Sequence, residues 1–154
     1  MAIMQWSEDL ELGLGPMDDT HREFVACYNA MVAADDADFL DRLDAFVAHT
    51  VAHFDQENAW MDTVNFPGCH RAEHDRVLAV VNDVRKRVAN GDLALGRRLA
   101  DELPAWFETH ATGMDAALAF HLQTLGFNFE TGEIGNPEAL ADVSCSTASP
   151  GAGG

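Results

Sequence analysis

Apolar residues recur along the chain at intervals of three and four, the spacing of one face of an α-helix, and no window alternates convincingly like a strand. His21, Phe24, Val25, Tyr28 and Val32 form a first stripe, opened by Pro16 with Asp18 as the expected cap. Phe39, Leu43, Phe46, Val47, Phe54 and Met61 form a second, which ends before Pro67 and Gly68. A third runs through His70, His74, Val77, Leu78, Val81, Val84 and Val88 to Asn90 and Gly91. The fourth holds Leu95, Leu99, Leu103, Trp106, Phe107, His110, Leu118 and Leu122 and closes at Gly126. Pro104 lies inside it, and its missing N–H predicts a kink or a fresh start there. Four helices with short connections favour antiparallel neighbours, so the expected fold is all-α, an up-down-up-down four-helix bundle over residues 1–126. The segment before the first stripe, with Trp6 and Leu14, is expected to lie across the bundle as an ordered arm. Residues 127–154 read as an acidic extension and a flexible tail, because SCSTASPGAGG offers nothing to bury.

Length and charge narrow the class. A chain of 154 residues fits one domain. A formal charge of −17 argues against nucleic acid and anionic membrane surfaces, which select basic proteins; RKR at 85–87 reads as a solvated helix face. No apolar run approaches the ~20 residues of a membrane span, and MAIMQWSEDL lacks the marks of a signal peptide, so a soluble cytoplasmic protein is expected. Cys27, Cys69 and Cys145 are odd in number, widely spaced and form no CxxC, which predicts reduced thiols rather than disulfides or a thiolate zinc site. Cys69 adjoins His70, but successive residues point to different helix faces, so a packing role is expected.

The chemistry lies in where the histidines fall. Each stripe carries histidine on its apolar face: His21 alone, His53 with Glu57 at i,i+4, His70 with His74 at i,i+4, and His110 with Asp115 at i,i+5. An i,i+4 pair lies on one face a turn apart and can converge on one point. Five imidazoles and two carboxylates in one small core cannot plausibly satisfy one another, and buried ionisable groups are costly unless paired or bound to metal. Imidazole with carboxylate suits iron, zinc or manganese, and seven ligands are too many for one first-row ion, so two ions bridged by the carboxylates are the natural solution. His49 also makes an i,i+4 pair with His53, a rival register; a bridge needs a carboxylate, which favours Glu57, and His49 and His121 stay outside the set.

These residues resemble the hemerythrin family, its single-domain bacterial members, the bacteriohemerythrins, in particular. The similarity spans about residues 6–122: Trp6, MDDTH at 17–21, HFDQENAWM at 53–61, FPGCHRAEH at 66–74 and WFETHATGMD at 106–115. The acidic FNFETGEIGNPE segment and the tail depart from it, outside the site. The resemblance implies two iron ions with a bridging oxo or hydroxo group, one held by His70, His74 and His110, the other by His21 and His53, with Glu57 and Asp115 bridging. The two-histidine iron would then keep an open position, and the implied activity is reversible O2 binding there, as peroxide, for transport, storage or delivery; nitric oxide and small anions are further ligands for that iron. Phe54, Met61, Trp106 and Phe107 would form an apolar wall that excludes water and slows proton-assisted loss of the ligand. The rival readings are a di-iron enzyme, such as a peroxidase or nitric oxide reductase, and an oxygen- or redox-sensing module. No general acid or base besides the ligands is obvious, which favours binding over turnover; a sensor would normally be fused to a signalling partner, which this chain does not show.

The i,i+5 spacing of His110 and Asp115 in HATGMD leaves the two side chains about 140° apart on a regular helix. A π-bulge adds one residue to a turn and would bring Asp115 inward. Without it the stripe Met114, Leu118, His121, Leu125 serves as well, and Asp115 points away.

Overall fold

The computed structural model describes residues 3–140. The helices are α1 (Gly15–Ala33), α2 (Phe39–Thr63), α3 (Cys69–Ala89) and α4 (Leu93–His110), the last continued by a π-helical turn (Ala111–Asp115) into α5 (Ala116–Thr124). α1 packs on α2, α2 on α3, α3 on α4 and α4 back on α1, the up-down-up-down bundle that the four stripes predict. Among the described residues there is no strand, only an isolated bridge between Phe127 and Ile134, and no helix long and apolar enough to cross a membrane.

The helix ends follow from local chemistry. α2, α3 and α5 each stop in a residue of positive φ, Asn65 (54°), Gly91 (107°) and Gly126 (61°). In each case the next amide reaches back to close the turn: Phe66 N–H to Met61 O, Asp92 N–H to Arg87 O and Phe127 N–H to Leu122 O. α4 opens with the Asp92 carboxylate accepting from Leu95 N–H at 3.1 Å. α1 is different. Leu14 occupies its N-cap position and supplies no side-chain bond. Asp18 therefore does not cap the helix: its carboxylate turns back on the arm and accepts from the amides of Leu12 (2.8 Å) and Gly13 (3.1 Å). The arm is tied down further along, where Met4 exchanges two hydrogen bonds with the Asn29 side chain and the Arg22 guanidinium lies over the Trp6 ring.

α4 runs through Pro104 with no fresh start. Proline has no N–H for the carbonyl four residues earlier, that of Ala100, and the Tyr28 hydroxyl donates to that oxygen instead, at 2.5 Å. A side chain from α1 thus repairs the gap in α4.

The core divides in two. A long apolar cluster runs from Phe24 and Tyr28 through Phe39, Phe46 and Val81 to Leu103 and Phe107. A second, at one end, joins Met17, Trp60, Met61, Val64, Leu118 and Leu122, and the extension closes it with Phe127, Phe129 and Ile134, Phe129 meeting Trp60 edge-on at 4.9 Å. Between the clusters, at His21, Glu57 and Asp115, lies a buried polar layer. The expectation of a flexible tail, and Cys145 with it, falls outside the described residues.

Candidate metal centre

Every residue of the polar layer comes from a helix already fixed by packing on both sides of it. His21 stands between Met17 and Phe24 on α1, Glu57 between Phe54 and Met61 on α2, and Asp115 between Ala111 and Leu118 on the fourth helical run, all buried. His53, His70, His74 and His110 complete the layer and are buried as well. The π turn decides between the two stripes left open for the fourth helix. It discounts one residue, so Asp115 is fully buried while Met114 is only half-buried, and the His110 and Asp115 side chains meet.

The two carboxylates are shared in the same way. Glu57 points Oε2 at His53 Nε2 (2.8 Å) and His21 Nε2 (3.5 Å), and Oε1 at His74 Nε2 (3.2 Å) and His70 Nε2 (3.4 Å). Asp115 points Oδ2 at His21 Nε2 (3.0 Å), and Oδ1 at His70 Nε2 (2.9 Å) and His110 Nε2 (3.1 Å). The donor atoms thus form two groups, each within 4.8 Å: His70, His74 and His110 with both carboxylates, and His21 and His53 with both carboxylates. Of the remaining candidates, Cys69, His49 and His121 join neither group. His49 lies 3.9 Å from the Glu23 carboxylate, and His121 rests beside the Phe66 ring.

Close approach is not the same as pairing. Both Asp115 oxygens, Glu57 Oε1, His74 Nε2 and both nitrogens of His21 are buried without a hydrogen-bond partner, although several lie about 3 Å from one another. Buried polar atoms that converge without bonding leave their desolvation uncompensated unless a cation sits among them. The residues therefore fit a pair of metal ions.

Burial and neighbouring charge act against each other throughout the layer. Burial pulls the His21 imidazole down, but the adjacent carboxylates of Asp115 and Glu57 overcome it and push it up to about 10. His70 responds in the same way, to about 9. Burial alone would raise Glu57 and Asp115; against it, His53 and then His21 draw Glu57 well below the usual carboxylate range, and His110 and His21 do the same for Asp115 against the added repulsion of Glu57. Burial lowers His74, which Glu57 only partly offsets.

Aromatic rings surround the layer unevenly. Phe54 stacks on His74 (4.0 Å, 4°), and Trp106 stacks on His110 (4.7 Å, 17°) with its Nε1–H donating to Glu73. Both cover the three-histidine side. On the other side Phe107 meets His21 edge-on at 5.4 Å. Phe24 stacks on Phe107 and presents its face or edge to His53. Met61 lies in the second core with Met17 and Trp60. The sequence marks Phe24 only as one apolar position among many, and nothing in it marks Asn58, whose Oδ1 lies 2.9 Å from His74 Nδ1.

A family model, the Hemerythrin HHE cation binding domain, matches residues 13–119, the stretch that supplies all seven side chains. The chain belongs to the hemerythrin family. It is 50% identical over 128 residues to a bacteriohemerythrin of Ralstonia nicotianae, an alignment that covers 82% of this chain and 93% of that one. It is 28% identical over 125 residues to a bacteriohemerythrin of Stenotrophomonas maltophilia, covering 77% of this chain and 81% of that one. A bacteriohemerythrin of Methylococcus capsulatus is 24% identical over 122 residues, covering 75% and 93%. The hemerythrin match begins at Gly13 and so leaves out the arm, and it stops before the segment that closes the second core.

Proposed function

We propose that this hemerythrin-family chain is a cytoplasmic protein that binds O2 reversibly at a non-haem di-iron centre, with His70, His74 and His110 holding one iron, His21 and His53 the other, and Glu57 and Asp115 bridging them. The observation that carries the proposal is the division of labour in each carboxylate: one oxygen faces the three-histidine group and the other faces the two-histidine group. When bound by these seven residues, a ferrous pair would supply the two electrons that reversible dioxygen binding calls for.

The chain does the rest. Three imidazoles on one side and two on the other make the donor set unequal, so the side of His21 and His53 has room for a small exogenous ligand, O2 first and nitric oxide or small anions by the same chemistry. Phe107 and Phe24 cover that side with ring carbon, which keeps water from the ligand. Catalytic turnover calls for a positioned acid or base. Apart from the ligands themselves, the titratable neighbour on this side is His49, whose Nδ1 faces Glu23. That arrangement supports binding over turnover.

Repeated cycles test it. Protein reduced without oxygen is exposed to air and then purged, and its visible absorption is followed together with oxygen uptake. A colour that appears and fades over several cycles, with one O2 taken up per chain and returned, is expected. Oxygen consumed without return, or continuing uptake in the presence of reductant beyond slow autoxidation, would instead indicate an enzyme.

A further inference from the structure

Five imidazoles point Nε2 into the polar layer, which leaves the outer nitrogen, Nδ1, of each to be accounted for. For His21, His53, His70 and His110 that atom is buried and finds no partner. His74 is the exception: its Nδ1 lies 2.9 Å from Asn58 Oδ1, across the α2–α3 contact and sixteen positions along the chain.

The consequence is chemical. A neutral imidazole carries one N–H, and a nitrogen that carries it cannot bind a metal. An amide oxygen can only accept, so a contact through Oδ1 places the proton on Nδ1 and leaves the Nε2 lone pair directed inward. His74 Nε2 is buried there without a hydrogen-bond partner, 3.2 Å from Glu57 Oε1. The Phe54 ring, nearly parallel to the imidazole at 4.0 Å, fixes the plane of His74 but not its proton. Asn58 fixes the second. Its own position is braced by Arg71, whose Nη2 donates to the Asn58 carbonyl (3.2 Å) and to the Asp62 carboxylate (2.8 Å), tying α3 to α2 beside the ring.

We propose that Asn58 is a positioning residue for the centre: by accepting the His74 Nδ1–H it selects the tautomer that presents Nε2 as a ligand, and so sets how tightly the three-histidine side holds its iron. This rests on the di-iron reading above. Outer partners of metal-bound histidines typically govern about 10- to 100-fold in metal affinity.

The test is removal of iron from the loaded protein by a ferrous chelator, comparing wild type, Asn58→Leu and Asn58→Asp, with Mössbauer spectra of each to resolve the two irons. Leucine keeps the branched four-atom skeleton with somewhat more bulk and removes the acceptor; aspartate keeps an acceptor at nearly unchanged volume and cannot donate. Asn58→Leu is expected to give up one of its two irons about 10- to 100-fold more readily, with the spectral change confined to one iron, while Asn58→Asp holds both as wild type does. Asn58→Leu behaving as wild type would overturn the proposal. So would Asn58→Asp losing iron, since that would mean that the amide nitrogen faces the ring. Should the leucine variant not fold, Asn58→Ala, which removes the acceptor without adding bulk, takes its place by the same criterion. Wild-type protein without an iron pair would instead bring down the metal reading itself, and this proposal with it.

Discussion

His110 and Asp115 stand five positions apart on one continuous helical run, yet His110 Nε2 and Asp115 Oδ1 are 3.1 Å from each other, because the turn between them is π-helical. The bulge is what converts an outward-facing aspartate into one that touches both ligand groups. Deleting Gly113 removes the extra residue and restores α-register to the turn. The positions after it keep their facing, so a folded, helical protein is expected by circular dichroism, but one that holds the iron pair poorly. Gly113→Ala is the control: nothing lies within 4 Å of its missing Cβ, so the iron content should not change and stability should rise by up to about 1 kcal/mol. A deletion variant that folds and still carries two irons would show that the bulge does not place Asp115.

The two sides of the centre should respond unequally to the loss of one imidazole. His74→Ala leaves His70 and His110 in its group, whereas His21→Ala leaves His53 alone. The second variant is expected to lose iron and the oxygen-dependent colour more completely than the first. Equal retention in both would mean that the side open to ligand has been assigned wrongly.

Tyr28 carries a structural prediction. Its hydroxyl answers the Ala100 carbonyl that Pro104 deprives of a partner, in a buried site. Tyr28→Phe is expected to cost about 1–3 kcal/mol of unfolding free energy, the penalty for leaving a buried acceptor unpaired. Pro104→Ala in the same background restores the amide donor and should recover part of it. Denaturant titration of the single and double variants checks this, and simple additivity would contradict it.

The opposing effects of burial and charge in the polar layer predict how protein stripped of iron by a chelator responds to pH. His21 and His70 titrate at about 10 and about 9 in the folded chain, against 6.5 when unfolded. Groups raised in this way contribute their stability in full below 6.5 and lose it as the pH climbs through 9 and 10. Glu57 and Asp115, held low, act in the opposite sense: they contribute above their unfolded values of 4.5 and 3.8 and lose that contribution only in acid. Stripped protein should therefore be most stable between about pH 5 and 6.5 and lose on the order of a few kcal/mol by pH 10, read from denaturation midpoints across the range. A midpoint unchanged from pH 6 to 10 would contradict this.

The sequence discloses what depends on one helix at a time. Stripes such as His21, Phe24, Tyr28 and Val32 are buried as their spacing predicts, and the i,i+4 pairs His53 with Glu57 and His70 with His74 share a face because helical geometry leaves them no choice. Even the bulge shows as a five-step interval. Contacts between helices are not disclosed, because they depend on how one helix is rotated and slid against the next. Asn58 and His74, Tyr28 and Ala100, and Phe24 against His53 are all of this kind. Asp18 does not cap for a local reason: a capping aspartate stands just before the first helical residue, but α1 already begins at Gly15, and the amides within reach of the Asp18 carboxylate belong to the arm.

The central claim is a dinuclear iron site, and metal content per chain tests it most directly. Protein expressed in iron-replete medium and purified without chelator should contain two irons per chain, with His21→Ala and His53→Ala each falling towards one. One metal per chain in the wild type, or zinc alone, would contradict it.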